Sequence, residues 1–162
     1  MSRKQPPEPT LADVARHFVS ADGADLYVGR TAADNDLLSL RLANGNDTWM
    51  HVAGVSGSHV IIRAAEGAAP SKETMLDAAH LAVHFSKARA ASRGTVSCTT
   101  ARHVGKTRGA PAGQVTLSQH RTMAVRVQPA RLERLLERET PSSVEAAQKK
   151  DATKSAMHAS SL

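Results

Sequence analysis

The chain has 162 residues, a formal net charge of +6 and a pI near 10.0, which is one domain's worth of sequence with room for short tails. Hydrophobic residues make up 41% and aromatic residues 2%, so the core must be aliphatic, and a row of stacking aromatics of the kind that grips single-stranded nucleic acid is excluded. The one cysteine, Cys98, has no partner for a disulfide or a structural zinc site, and no apolar run reaches membrane-span length; a cytoplasmic protein with no cofactor, no metal and no membrane association is expected.

Residues 1–15 read as a polar leader without fixed structure, carrying Pro6, Pro7 and Pro9. Residues 16–20 and 26–29 read as two short strands joined by Asp22-Gly23, a favoured hairpin pair. A short helix is predicted over 32–43, with Leu37, Leu38 and Leu42 on one side, Thr31 as its N-cap and Asn44-Gly45 as its stop. Strands over 48–53 and 58–64 follow, across a turn at 54–57. The strongest helical pattern covers 72–90: Ser71 caps it, and Met75, Leu76, Ala79, Ala82, Val83 and Phe85 form an apolar stripe. Lys87 and Arg89 fall in its last turns, where positive charge suits the helix dipole. Residues 95–101 read as a strand, 105–113 as a loop, and 114–118 with 122–127 as a closing hairpin. Pro129 opens a helix to about residue 139, edged by Leu132, Leu135 and Leu136, and residues 141–162 read as a disordered tail. The order ββα-ββα-β(ββ) predicts one α+β domain over 16–129, with a mixed or antiparallel sheet and one long and one short helix, then a C-terminal helix over 130–140.

Charge is segregated along this order. Residues 17–77 hold four basic residues against eight acidic ones. Between Asp77 and Glu133 there is no acid, and Lys87, Arg89, Arg93, Arg102, Lys106, Arg108, Arg121, Arg126 and Arg131 stand there. A segment this one-sided takes a polyanionic partner or spreads its charge over separate solvated faces. Charge alone leaves both open, and nucleic acid is the first polyanion to consider.

Several patterns invite chemistry. Gly105-Lys106-Thr107 is not a phosphate loop, because position 100 is Thr100 where the motif needs glycine. His80 and His84 are four apart on the long helix, the spacing of metal ligands and equally of two ordinary histidines; no third ligand accompanies them. Ser58, His51, His59 and Asp36 supply the residue types of a nucleophilic triad, but adjacent Ser58 and His59 on a strand point to opposite faces, and no nucleophile elbow surrounds Ser58. Trp49 and His51 share a sheet face, and with Ser58 and His59 across the turn they form either a polar pocket or a buried aromatic whose hydrogen-bonded histidines hold the turn.

At this cluster the sequence resembles the NFACT-R family, the RNA-binding domain found toward the C-terminal part of NEMF-type and RqcH-type ribosome quality-control proteins. The resemblance is carried by Asp22-Gly23, Val28-Gly29-Arg30, Asn35-Asp36, Asp47-x-Trp49-x-His51 and Gly57-Ser58-His59-Val60. It continues through Pro70, Ala78-Ala79-x-Leu81-Ala82, Ser86-Lys87-Ala88-Arg89, Val104-x-Lys106, Gly109-Ala110, Gly113-x-Val115, Arg121-Thr122-Met123 and Pro129. Departures are Thr31 where the family often has Asn, Asp34 near a usual Gln, and Cys98 where it often has Tyr. The resemblance implies a stand-alone RNA-binding domain for structured RNA, tRNA or ribosomal RNA, linked to translation or ribosome-associated quality control. The expected partners are RNA, the ribosome, or a protein supplying the glycosylase-like, helix-hairpin-helix and coiled-coil regions. Arg30, Lys87, Arg89, Lys106, Arg108 and Arg121 would contact phosphates, and Asn35, Asp36, Trp49, His51, Ser58 and His59 would form the polar pocket. Two other readings stand beside it: an RNA-modifying or RNA-processing enzyme using His51, His59 and Asp36 as acid, base and orienter, and an adaptor that docks a protein through its C-terminal helix.

Overall fold

The computed structural model describes residues 7–66 and 68–141. The start of the expected leader and the expected tail from residue 142 lie outside the described residues. Within the segment read as leader, Leu11–Val14 forms one turn of helix (α1), with the Asp13 carboxylate accepting from the Thr10 N–H at 2.8 Å. Strands β1 (Ala15–Val19) and β2 (Asp25–Gly29) pair antiparallel with Phe18 opposite Leu26. Gly23 makes the turn at φ +85°, a conformation that favours glycine. Helix α2 (Ala32–Leu37) starts where the Thr31 hydroxyl accepts from the Asp34 N–H, and it widens into a π-helical turn over Leu38–Leu42.

Strands β3 (Thr48–Val52) and β4 (Val60–Ile62) are followed by α3 (Lys72–His84), β5 (Arg93–Thr100), a 3₁₀ turn at Ala101–His103, β6 (Val104–Gly105), β7 (Thr116–Leu117), β8 (Arg121–Arg126) and α4 (Pro129–Glu137). The main sheet has the order β1-β2-β4-β3-β5-β8, antiparallel throughout; β6 and β7 form a separate small ribbon. The fold is α+β, as the order of elements predicts.

Side-chain alternation sends successive strand residues to opposite faces, and here both faces are covered. Phe18, Leu26, Val28, Met50, Val60, Ile62, Val96 and Val125 pack against Ala78, Leu81 and Ala82 of α3 and Leu135 of α4. On the other face Trp49 and Ile61 pack with Leu38 and Val14, joined by Val104 and Leu117 from the small ribbon and by Val115 just before it.

Two local expectations are corrected. Residues 114–118 and 122–127 do not form a hairpin: Leu117 pairs with Val104, while Arg121–Arg126 pairs with β5. The reason is that Val115 and Leu117 serve one face's core and Val125 the other's, so the two strands diverge. The long helix ends at His84 instead of running to residue 90. Ser86 ends it by turning its hydroxyl back to the Val83 carbonyl at 2.7 Å and forming a backbone bridge to Gly57. Lys87 and Arg89 therefore stand on a turn and not on a helix end.

Helix α4 is held by a buried charge. Asp77 is fully buried and accepts from Arg131 at 2.7 Å, Arg134 at 2.6 Å and the Ala21 N–H at 2.8 Å. Asp77→Ala leaves those donors without their acceptor and is expected to destabilise the fold by about 3 kcal/mol. Urea unfolding measures this, and a loss below about 1 kcal/mol would contradict it.

Candidate nucleic-acid interface

The Trp49–His59 cluster is a hydrogen-bonded relay with a fixed direction. The Trp49 indole N–H can only donate, and it donates to the Ser39 hydroxyl at 3.0 Å. Ser39 Oγ lies 2.7 Å from His59 Nδ1, and His59 Nε2 lies 3.1 Å from the Gly113 carbonyl, which can only accept. With both ends fixed, Ser39 donates to Nδ1 and Nε2–H donates to Gly113. His59 is thus the neutral Nε2–H tautomer with both nitrogens engaged. It is 1% exposed, and burial, then the neighbouring His51, push its pKa down to about 4.

This shift has a pH consequence. An unfolded histidine takes up a proton below about pH 6.5, whereas folded His59 resists until about pH 4. Between those values the unfolded state binds more protons, so stability is fully present above pH 6.5 and falls as pH drops toward 4, by about 3 kcal/mol from this residue. His51 and His80, also lowered by burial, add in the same direction. Urea midpoints measured from pH 7.5 to 4.5 should fall, and His59→Gln should flatten that slope; an unchanged slope would contradict the relay.

The other residues of the predicted polar pocket divide. Asn35 is buried, and its side-chain oxygen accepts from the His59 N–H at 3.0 Å. His51 stacks on Trp49 with ring centroids 6.0 Å apart. Asp36 pairs with Lys106 at 2.9 Å and accepts from the Gly113 N–H at 3.1 Å, so it anchors the 105–113 loop and contacts neither His51 nor His59 by hydrogen bond. Lys106 also donates to the Pro111 carbonyl, which makes it a clamp of the same loop. His80 donates from Nδ1 to the Leu76 carbonyl and accepts from the Gln128 N–H, a structural role apart from His84.

Ser58 turns away from the relay into an open groove with Arg30, Thr31, Phe85, Lys87 and Arg89. Its wall is a junction of two chain segments. Ser58 N–H donates to the Phe85 carbonyl and Lys87 N–H to the Ser56 carbonyl, both at 2.9 Å. Gly57 is required there: a Cβ on it would lie 2.6 Å from Ser86 Cβ and 3.2 Å from Ser86 Cα. Gly29 does the same at the end of β2, since a Cβ would lie 1.9 Å from the Asn35 oxygen. The Val28-Gly29-Arg30 and Gly57-Ser58-His59 pieces thus build this groove by close backbone approach. Among the described residues no Asp or Glu lines it, and its lip carries His84, held below its ordinary pKa by burial and then by Arg89 and Arg16.

The cations separate into two kinds. Lys106, Arg131 and Arg134 are tied to carboxylates, as are Arg16 and Arg63. Arg30, Lys87, Arg89, Arg93, Arg102, Arg108, Arg121 and Arg126 make no ion pair among the described residues. Of these, Arg30, Lys87 and Arg89 share the groove, and Arg93 and Arg126, opposite each other in the β5–β8 register, extend the same end of the sheet. Sequence reasoning passed over Arg93 and Arg126 as site residues; their place in an acid-free segment was the available signal. Arg108 stands on the exposed 105–113 loop, and Arg121 lies at the sheet's opposite end.

Residues 14–119 match the family model described as the NFACT protein RNA binding domain. The chain belongs to that family. It is 36% identical over 123 residues to the Rqc2 homolog RqcH of Bacillus subtilis (strain 168), covering 76% of this chain and 20% of that protein. It is 34% identical over 109 residues to the Rqc2 homolog RqcH of Streptococcus suis (strain 05ZYH33), covering 67% of this chain and 19% of the relative. The chain thus spans about a fifth of the length of these curated relatives. Among solved structures it resembles the C-terminal region of the fibronectin/fibrinogen-binding protein from Streptococcus suis, with a TM-score of 0.70 and 28% identity over 82% of this chain and 52% of that one. Asn35, Gly57 and His59 of this NFACT RNA-binding domain lie within the matched span, so the groove and relay are features of the matched region. Among the described residues no helix is long and apolar enough to cross a membrane, and no group of three or more His, Cys, Asp and Glu is placed to hold a metal ion.

Proposed function

We propose that this domain binds structured RNA, tRNA or ribosomal RNA, through its phosphate backbone, and serves ribosome-associated quality control in the cytoplasm together with the ribosome. The observation that carries the reading is the groove that no Asp or Glu lines among the described residues, where Arg30, Lys87 and Arg89 stand without carboxylate partners among those residues beside Thr31 and Ser58. An array of unpaired cations around hydroxyl and backbone donors suits phosphate oxygens, each contact releasing counterions. With 2% aromatic residues, shape and backbone recognition dominates over base stacking. The family's RNA-binding description and the RqcH relatives support the same reading.

In this reading Arg108 adds a contact from its loop, and Lys106 acts by holding that loop in place. The polar relay sets the groove's geometry. Fluorescence anisotropy of labelled tRNA across salt concentrations tests it: roughly three to five phosphate contacts give a log–log salt slope of about −3 to −4.5. A flat response, or no binding at low salt, overturns the proposal.

A further inference from the structure

A second groove lies at the other end of the sheet. Its floor is Thr48, Met75 and Cys98, and its rim carries Arg102, Arg121, His103 and His120. Register fixes the location: Thr48 opens β3 opposite Thr100 at the close of β5, and Arg121 opens β8 opposite Cys98. The rim is built, because the Arg102 N–H donates to the Gly45 carbonyl at 3.1 Å and the Ser118 N–H to the His103 carbonyl at 3.0 Å. The first bond ties the 3₁₀ turn to the segment before β3, and the second ties it to the turn before β8. Among the described residues no Asp or Glu lines the groove; nearby Asp47 is fully buried and spent on Arg63 and two backbone N–H groups. Neither Arg102 nor Arg121 has an ion-pair partner among the described residues.

We propose that this groove is a second, separate phosphate site for RNA, used together with the first by one folded RNA. The proposal rests on the RNA-binding reading above and goes beyond it in placing a second contact region. Strand β5, eight residues long, separates the two ends by roughly 23 Å at about 3.3 Å per residue. A mono- or dinucleotide cannot bridge both grooves at once, whereas a folded RNA can. The second contact then becomes intramolecular and multiplies affinity without new base contacts. That distance gives the domain a preference for compact RNA without reading sequence.

Histidine rings report on each groove independently: His84 on the first, His103 and His120 on the second, with His17 beside Asp25 as an outside reference. The intact protein is titrated with hexauridylate at low salt and constant pH, and ring proton resonances are followed by NMR. Shifts at His84 and at His103 and His120, with His17 still, are expected. Movement at His84 alone overturns the second site and leaves the first. Movement at His103 and His120 alone supports the second site and refutes the first. No movement, or equal movement at His17, refutes both. Arg102→Gln with Arg121→Gln should silence His103 and His120, leave the His84 response, and lower the tRNA salt slope by about 2; an unchanged slope also overturns the proposal.

Discussion

Lys87→Ala combined with Arg89→Ala is expected to weaken binding of every structured RNA by a similar factor, about thirtyfold near physiological salt. Both residues stand on the turn that Ser86 creates, exposed and without ion-pair partners among the described residues. Each phosphate contact is worth about 1 kcal/mol in a partly screened setting, so the pair contributes on the order of 2 kcal/mol. The tRNA salt slope should fall by about 2 while the urea midpoint stays put, because neither side chain takes part in the core. A loss confined to one RNA sequence would mean base readout and contradict phosphate contact.

Gly57→Ala should lower both stability and RNA affinity. The added methyl group meets Ser86 Cβ at 2.6 Å and Ser86 Cα at 3.2 Å, and backbone cannot step aside as a flexible side chain can. Relief requires separating the turn from the segment after α3, which stretches the Ser58–Phe85 and Lys87–Ser56 hydrogen bonds and moves Lys87 and Arg89 away from Arg30. Overpacking of this kind costs about 2 kcal/mol. Gly23→Ala is the control: it is strained at φ +85° but meets nothing within 4 Å, so it should cost about 1 kcal/mol and leave RNA binding unchanged. Thermal or urea unfolding alongside tRNA anisotropy separates the two. Equal RNA affinity for both variants would remove Gly57 from the groove's architecture.

Much of the fold was legible in the sequence because its signals are local. The Thr31 and Ser71 caps, the Asp22-Gly23 turn and the apolar stripe of α3 each declare themselves within a few residues. The false closing hairpin arose because alternation gives a period but not a destination: Leu117 and Val125 both alternate, yet serve opposite faces of the sheet. The helix end at His84 was hidden for a related reason, since the bridge that stops it comes from Gly57, far off in sequence.

The site was legible in composition and less so in roles. Arg30, Lys87, Arg89 and Ser58 come from the motifs, and the fold gathers them in one groove. Lys106 looked like its neighbours in the acid-free half, but its partner Asp36 lies 70 residues away. Arg131 likewise meets Asp77 across 54 residues. The His59 relay depends on Ser39 and on the Gly113 carbonyl, 20 and 54 residues distant, and a backbone carbonyl leaves no trace in sequence. Charge counting therefore locates the acid-free region but not which cations remain free for a ligand.

RNA phosphates in the groove between α2 and the turn after α3 are detected by photo-crosslinking bound tRNA to the intact protein and mapping the adducts by mass spectrometry. Adducts should include Arg30 and Thr31, Ser56 and Ser58, and Lys87 and Arg89, beside any at the second groove. Adducts confined to α4 or to the β1 edge, with none on these three segments, would contradict RNA binding in this groove.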